Sequence, residues 1–233
     1  QMINVFSKMN IDYTCDISLF NLPNTFGVCS GEKLEEMIKI FIRNKGLDEN
    51  VSLDNFCKTK GVSLVCSAFN VNRKENIFFQ MRSEKCKNYI DIPLYLAVRA
   101  SMNLPLVFSP VQYKNNMYID SAVYCNIPMN YYTRNTKDYS DILCVILAGE
   151  PKILLNSEMT IKDYFENILR CSTDTMGNKI LRYIKNKGIN IITIVSGTEN
   201  KYGINMPIEQ RMSLIELGYL TTVKFFSKKI KET

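Results

Sequence analysis

Short β-branched apolar runs alternate with amphipathic segments along this chain, and that alternation restricts it to the α/β class. Behind Ser30 or Gly31, the residues Leu34, Met37, Ile38 and Phe41 recur at helical spacing, with Glu32 in the first turn and Gly46 as a stop. Val62–Val71 reads as a strand, joined through the polar turn Asn72–Asn76 to a second strand, Ile77–Met81, as in a hairpin. Asp91 is placed to cap a helix that begins near Pro93 and runs to Met102. Val107–Val111 and Met117–Ile119 read as short strands across a Lys114-Asn115-Asn116 turn, and Tyr131–Asp141 as a loop. Ile142–Ala148 and Ile189–Val195 are continuous apolar runs, expected of strands covered on both faces. Between them Ile161, Phe165, Ile168 and Leu169 continue at helical spacing to Ile180, Leu181 and Ile184, with a break near Gly177. Pro207 opens a last helix bearing Ile208, Met212, Ile215 and Leu220.

A length of 233 residues, with no Gly-, Ser- or Pro-rich linker, points to a single domain, 1–233. Apolar runs stay well below membrane-spanning length. Ser7, Lys8, Asn10 and Asp12 interrupt the start, so it does not read as a signal peptide. With Gln as its first residue, the chain is read as N-terminally incomplete. The eight cysteines form no Cys-x-x-Cys pair, and Cys66 and Cys144 sit in apolar runs. They are read as small hydrophobes of a reduced, intracellular protein, cytoplasmic or peripheral to membranes.

Zero histidine removes the Ser/His/Asp triad, the Cys/His pair and most catalytic zinc sites. Hydrolytic chemistry is left with a carboxylate or a lysine as its base, and neither metal nor organic cofactor is expected. The net charge of +6 suits anionic lipid surfaces or nucleic acid. Arg/Lys stripes interleaved with aromatic residues are missing, however, so nucleic acid is not expected. Lys224, Lys228, Lys229 and Lys231 cluster near the end. They read either as a solvated helix C-terminus or, with Phe225, Phe226 and Ile230, as a membrane-surface contact.

The densest pattern lies between Arg99 and Pro128. It runs Arg99-Ala100-Ser101-Met102-Asn103-Leu104-Pro105, Val107-Phe108-Ser109-Pro110, Tyr118-Ile119-Asp120-Ser121-Ala122, then Asn126-Ile127-Pro128. Asp120 follows an apolar strand and precedes small residues, so it projects from a strand end, where rigid scaffolds place functional groups. This order resembles the second half of the patatin-like phospholipase domain. Leu19-Phe20-Asn21, Gly27 and Ser30-Gly31-Glu32-Lys33-Leu34 resemble the segment that follows the nucleophile helix in that family. The resemblance is best over 19–129.

The resemblance implies a three-layer α/β/α sandwich that hydrolyses lipid acyl esters with a Ser–Asp dyad, on a lipid or phospholipid substrate. Carried over residue by residue, only the aspartate lands in this chain, on Asp120, as general base. A Gly-x-Ser-x-Gly elbow occurs nowhere in the sequence. The serine and the glycine-rich oxyanion turn are therefore expected upstream of Gln1, and the sandwich is expected without its first strand–helix–strand unit. Without nucleophile and oxyanion donors this chain alone is expected to be inactive. The alternative is a catalytically inactive relative that binds lipid or a protein partner.

Ser121-Ala122 stands where the family has Gly-Gly or Gly-Ala, a departure that bears on the position of the carboxylate. Gly27-Val28-Cys29-Ser30-Gly31 matches a Gly-x-Cys-x-Gly elbow, but Pro23, Asn24 and Thr25 precede it and no histidine exists to activate the thiol. It reads as the loop before a helix. Arg99 is read as a structural residue at a helix end and Asn126 as a turn former that holds the aspartate loop. Tyr124, Tyr131 and Tyr132 are read as packing residues.

Overall fold

Gly31 adopts φ +82°, a left-handed conformation open to glycine, and there the chain turns from strand into helix. The computed structural model describes residues 16–18, 22–83, 89–125, 127–129, 131–132, 138–148, 159–160, 164, 167, 177–197 and 206–232. It divides into two units, one drawn mainly from Tyr13–Tyr132 and the other from Thr133–Asn167 and Asn178–Thr233. The expected mixed α/β class holds, with helices and both parallel and antiparallel pairing.

The first unit begins with β1 (Gly27–Cys29) and α1 (Glu32–Arg43). Leu34, Ile38 and Ile42 line the buried face of α1, one turn apart, as the sequence spacing requires. The helix α2 (Leu53–Lys60) follows, capped by the Ser52 hydroxyl, which accepts from the Asn55 amide at 3.2 Å. The hairpin β2 (Cys66–Asn70) and β3 (Glu75–Phe79) precedes α3 (Leu94–Ser101). Then come β4 (Leu106–Phe108), β5 (Val111–Tyr113) and β6 (Asn116–Asp120).

β1 and β4 pair in parallel, with Gly27 opposite Leu106 and Cys29 opposite Phe108. A four-stranded antiparallel sheet has the order β3-β2-β6-β5. Ala97 and Ala100 of α3 are fully buried, small enough to let the helix lie close to the sheet. Ala68, Phe79 and Tyr118 face the same core, and the last two rings meet edge-on at 5.3 Å.

Two local expectations are corrected in this unit. The run Val107–Val111 is not one strand: Ser109–Pro110 divides it, so β4 pairs with β1 while β5 pairs with β6. Pro110 lacks an N–H to donate to a continuous ladder. Asp91 does not cap α3; the N-cap is Pro93, and the Leu94 amide donates to the Val51 carbonyl at 2.8 Å. A neighbouring segment thus satisfies a donor that a capping side chain would otherwise have served.

The second unit contains β7 (Leu143–Ala148), a helix over 177–186 (α4), β8 (Asn190–Val195) and α5 (Ile208–Glu232). β7 and β8 run parallel in continuous register. Ile184, Ile189 and Ile192 are buried, and a Cβ on Gly218 of α5 would stand 3.7 Å from Ile194 Cδ1. β7 is not covered on both faces. Strand alternation puts Leu143, Val145 and Leu147 on one face, exposed by 44%, 58% and 66%. Asn126, Leu19-Phe20-Asn21 and most of the helix expected over 161–176 lie outside the described residues.

Cys57, Cys66 and Cys125 are buried free thiols and Cys144 a half-buried one. Cys29 is disulfide-bonded, which corrects the reading of a fully reduced chain. Spacing alone does not announce such a bond where no Cys-x-x-Cys pair exists.

Candidate functional site

β6 ends on Asp120, opposite Ala68 of β2, and the Asp120 amide donates to the Asn103 carbonyl at 2.9 Å. These bonds fix the backbone from two sides. The carboxylate Oδ1 accepts the Ala122 amide at 2.8 Å and so caps a short 3-10 helix, Ser121–Val123. An ordinary capping aspartate needs no more than that bond and stays in water. Asp120 is instead half-buried, and its burial pushes the carboxyl above the usual carboxylate range, against the smaller lowering effect of the Ala122 bond. A carboxyl shifted this way at a strand end is suited to take up a proton.

Behind Asp120 stands a buried polar assembly. Asn103 is fully buried and Arg99 is 2% exposed. Arg99 Nη1 donates to Asn103 Oδ1, and Nη2 donates to the carbonyls of Ser30 at 2.9 Å and Ser109 at 3.2 Å. Nε donates to the Gly31 carbonyl at 3.3 Å and lies 3.8 Å from Glu35 Oε1. Burial lowers the pKa of Arg99 while Glu35 opposes that shift. Burial also raises Glu35, by more than Arg99 lowers it. The guanidinium therefore ties the start of α1, the end of β4 and the segment that receives the Asp120 amide. Arg99 does far more than complement a helix end.

Ser121 is buried, and its hydroxyl donates to Ser67 Oγ at 2.8 Å. It is not among the described residues with positive φ. Serine is therefore held here without left-handed strain, and the capping bond of Asp120 forms beside it. The Gly27–Gly31 stretch has the strand–turn–helix setting of an elbow. Cys29 within it is 1% exposed and disulfide-bonded, so it offers no thiolate. Gly27 answers to packing instead: a Cβ there would lie 2.2 Å from the Ser109 amide nitrogen. Tyr124 stacks on Phe69 with centroids 6.0 Å apart, and Tyr131 meets Phe78 at 5.3 Å, as packing residues do.

A concavity of about 470 Å³ near the β5–β6 turn is lined by Phe26, Gln112, Tyr113, Asn116 and Met117 among others. It lies at the start of β6, whereas Asp120 is at its end. Among the described residues no group of three or more Cys, Asp or Glu side chains is placed to hold a metal ion.

Gly31, Arg99 and Asp120 all lie in one stretch of the chain, and that stretch matches a known family. A model described as patatin-like phospholipase matches residues 4–131, more than half of the chain. The chain belongs to the patatin-like phospholipase family. This patatin-like chain is also similar to the probable lipid hydrolase 463L of Invertebrate iridescent virus 6. The two are 26% identical over 128 residues, 53% of this chain and 42% of that protein. It is similar as well to uncharacterized protein R571 of Acanthamoeba polyphaga mimivirus, 20% identical over 204 residues, 86% of this chain and 65% of that protein. The chain spans less than two thirds of either relative's length. Among its described residues, no helix is long and apolar enough to cross a membrane.

Sequence reasoning singled out Asp120 in this patatin-like domain but gave no role to Asn103 or Ser67. The signal for Asn103 was present: it stands four residues after Arg99 and just before Leu104-Pro105, where a helix ends and a polar side chain has to find a partner. Ser67 carried no comparable signal, since its partner Ser121 lies 54 residues away.

Proposed function

We propose that this chain supplies the general base, Asp120, to a serine–aspartate dyad that hydrolyses carboxylic ester bonds of lipids, with phospholipid as the substrate class. One observation carries the reading. The Asp120 carboxyl is half-buried at a strand end with one oxygen tied to Ala122, and among the described residues nothing else bonds to it. The family match and the relative named as a lipid hydrolase support the same chemistry.

In the proposed reaction a serine hydroxyl attacks the ester carbonyl and Asp120 takes its proton. The tetrahedral adduct expels the alcohol, which leaves with that proton, and an acyl-enzyme remains. Water then attacks the acyl carbonyl, again giving its proton to Asp120, and the fatty acid departs as the serine is restored. The serine and the oxyanion donors come from sequence other than these 233 residues, which hold no Gly-x-Ser-x-Gly elbow. The test is hydrolysis of lipid and short-chain esters by the full-length protein, with Asp120→Asn beside it. A loss of kcat of about a thousandfold or more is expected; retained activity overturns the assignment.

A second reading, an inactive relative that binds lipid or a protein partner, is favoured by the missing elbow and by Ser121-Ala122. The coding sequence before Gln1 separates the two readings. An in-frame glycine-rich turn followed by Gly-x-Ser-x-Gly supports the hydrolase; an elbow without serine supports the binding protein.

A further inference from the structure

α5 is amphipathic in an unusual sense: both of its long faces are apolar. Leu214, Gly218, Thr221 and Phe225 form the half-buried face, and Gly218 packs on Ile194 of β8. Met212, Tyr219, Val223, Phe226 and Ile230 form a second stripe at spacings of seven, four, three and four residues. This outward stripe is exposed by 41%, 68%, 44%, 44% and 76%. A surface helix that has already buried one face ordinarily turns charged residues to water on the other. A continuous apolar stripe there marks a contact surface.

The charges say what that surface meets. From Leu217 to Ile230 the helix carries Lys224, Lys228 and Lys229 and not one acidic residue. All three lysines are exposed, and Lys229 Nζ lies 5.9 Å from the Phe225 ring centroid. Of the acidic residues, Glu209 and Glu216 lie in the first half and Glu232 ends the helix. Lys224 and Lys228 stand two residues from Phe226, on other faces of the helix, but within a Debye length of about 10 Å the three lysines still draw an anionic headgroup surface toward the apolar stripe.

We infer that the outward stripe of α5 docks the protein on an anionic lipid surface. This inference rests on the proposed lipid substrate and names where the protein meets the aggregate that holds it.

Flotation of the full chain with vesicles of phosphatidylcholine, alone or with phosphatidylserine, tests it over a salt series. Binding is expected to favour phosphatidylserine vesicles and to weaken with salt. Phe226→Asp with Ile230→Asp should weaken binding about tenfold or more. Lys224→Gln, Lys228→Gln and Lys229→Gln together should weaken binding to anionic vesicles about tenfold. Because these positions are exposed, circular dichroism should show unchanged folding. Val145→Thr, on the exposed face of β7, should leave flotation as it was. The inference is overturned if the α5 variants float like the parent chain, or if Val145→Thr abolishes binding instead. It is also overturned if the stripe variants dissolve a dimer while no vesicle is bound.

Its failure is distinct from failure of the hydrolase reading. Absent flotation with intact, Asp120-dependent hydrolysis of a water-soluble ester rejects the docking surface alone. Flotation without Asp120-dependent hydrolysis rejects the hydrolase alone.

Discussion

Gly31 and Arg99 share a space that admits no methyl group: a Cβ on Gly31 would stand 1.7 Å from Arg99 Nη2. The end of a flexible side chain can often step aside, but this one is held by the carbonyls of Ser30, Gly31 and Ser109 and by Asn103. Gly31 also sits at φ +82°, where a Cβ carries its own strain. Gly31→Ala is therefore expected to cost about 3 kcal/mol, from strain and overpacking together. Urea melts of the two chains measure it, and a cost below about 1 kcal/mol would contradict this packing.

Arg99 is a buried cation whose partners would be stranded without it. Arg99→Met removes the donors to three backbone carbonyls and leaves Glu35 half-buried without its counter-charge. A loss of about 3–5 kcal/mol is expected. Arg99→Lys should recover little, because a single ammonium cannot reach the span of a planar fork. Thermal unfolding of both variants distinguishes a role of geometry from one of charge: equal stability of Lys and wild type would make it charge alone.

Asp120 should make stability depend on pH in a defined direction. Burial raises its folded pKa, so the folded chain keeps the proton at pH values where the unfolded chain has released it. Stability is then highest below the ordinary carboxylate range and falls as pH rises through the raised folded value. Asp120→Asn removes that penalty while Asn Oδ1 still accepts the Ala122 amide. The variant should be more stable at neutral pH, with the gain vanishing in acid. Melting curves across pH check the sign; a variant stabilised only in acid would refute it.

In the proposed reaction the same raised pKa sets the acid limb of activity. A general base works only when ionised, so kcat/KM should fall, as pH is lowered, above the ordinary carboxylate range. A limb within or below that range would mean that Asp120 is not the titrating base.

Ser121→Gly, which restores the residue usual in the family, should destabilise this chain. It deletes the buried bond to Ser67 and adds unfolded-state entropy, together about 1–2 kcal/mol. A double-mutant cycle with Ser67→Ala isolates the hydroxyl pair; additivity of the two single changes would show that the bond contributes nothing.

Cys66 offers a check on the core. Burial pushes its thiol up to about 11, with Cys57 beside it adding to the shift. Alkylation of Cys66 at mildly alkaline pH should be at least about a hundredfold slower in the native chain than in urea. Equal rates would mean that β2 is open to solvent.

Much of the fold was legible because it is local. The helix read from Leu34, Met37, Ile38 and Phe41 and the hairpin of β2 and β3 each depend on residues a few positions apart. Asp120 was legible for the same reason: an apolar strand before it and small residues after it announce a strand end. The division at Pro110 was half-written, since proline signals a missing donor but not which strands will claim either side.

The sequence by itself determined the α/β class, most described element positions and the general location of the candidate base. Those follow from period, turn chemistry and capping, which act between near neighbours. Tertiary structure alone decided that Arg99 is a buried junction, that Ser121 pairs with Ser67, that Cys29 is disulfide-bonded and that one face of β7 stays exposed. Arg99 meets Ser30 across 69 positions of sequence and Ser121 meets Ser67 across 54. Contacts of that range have no periodic signature; they exist only once the chain has folded and a buried donor must find the acceptor brought beside it.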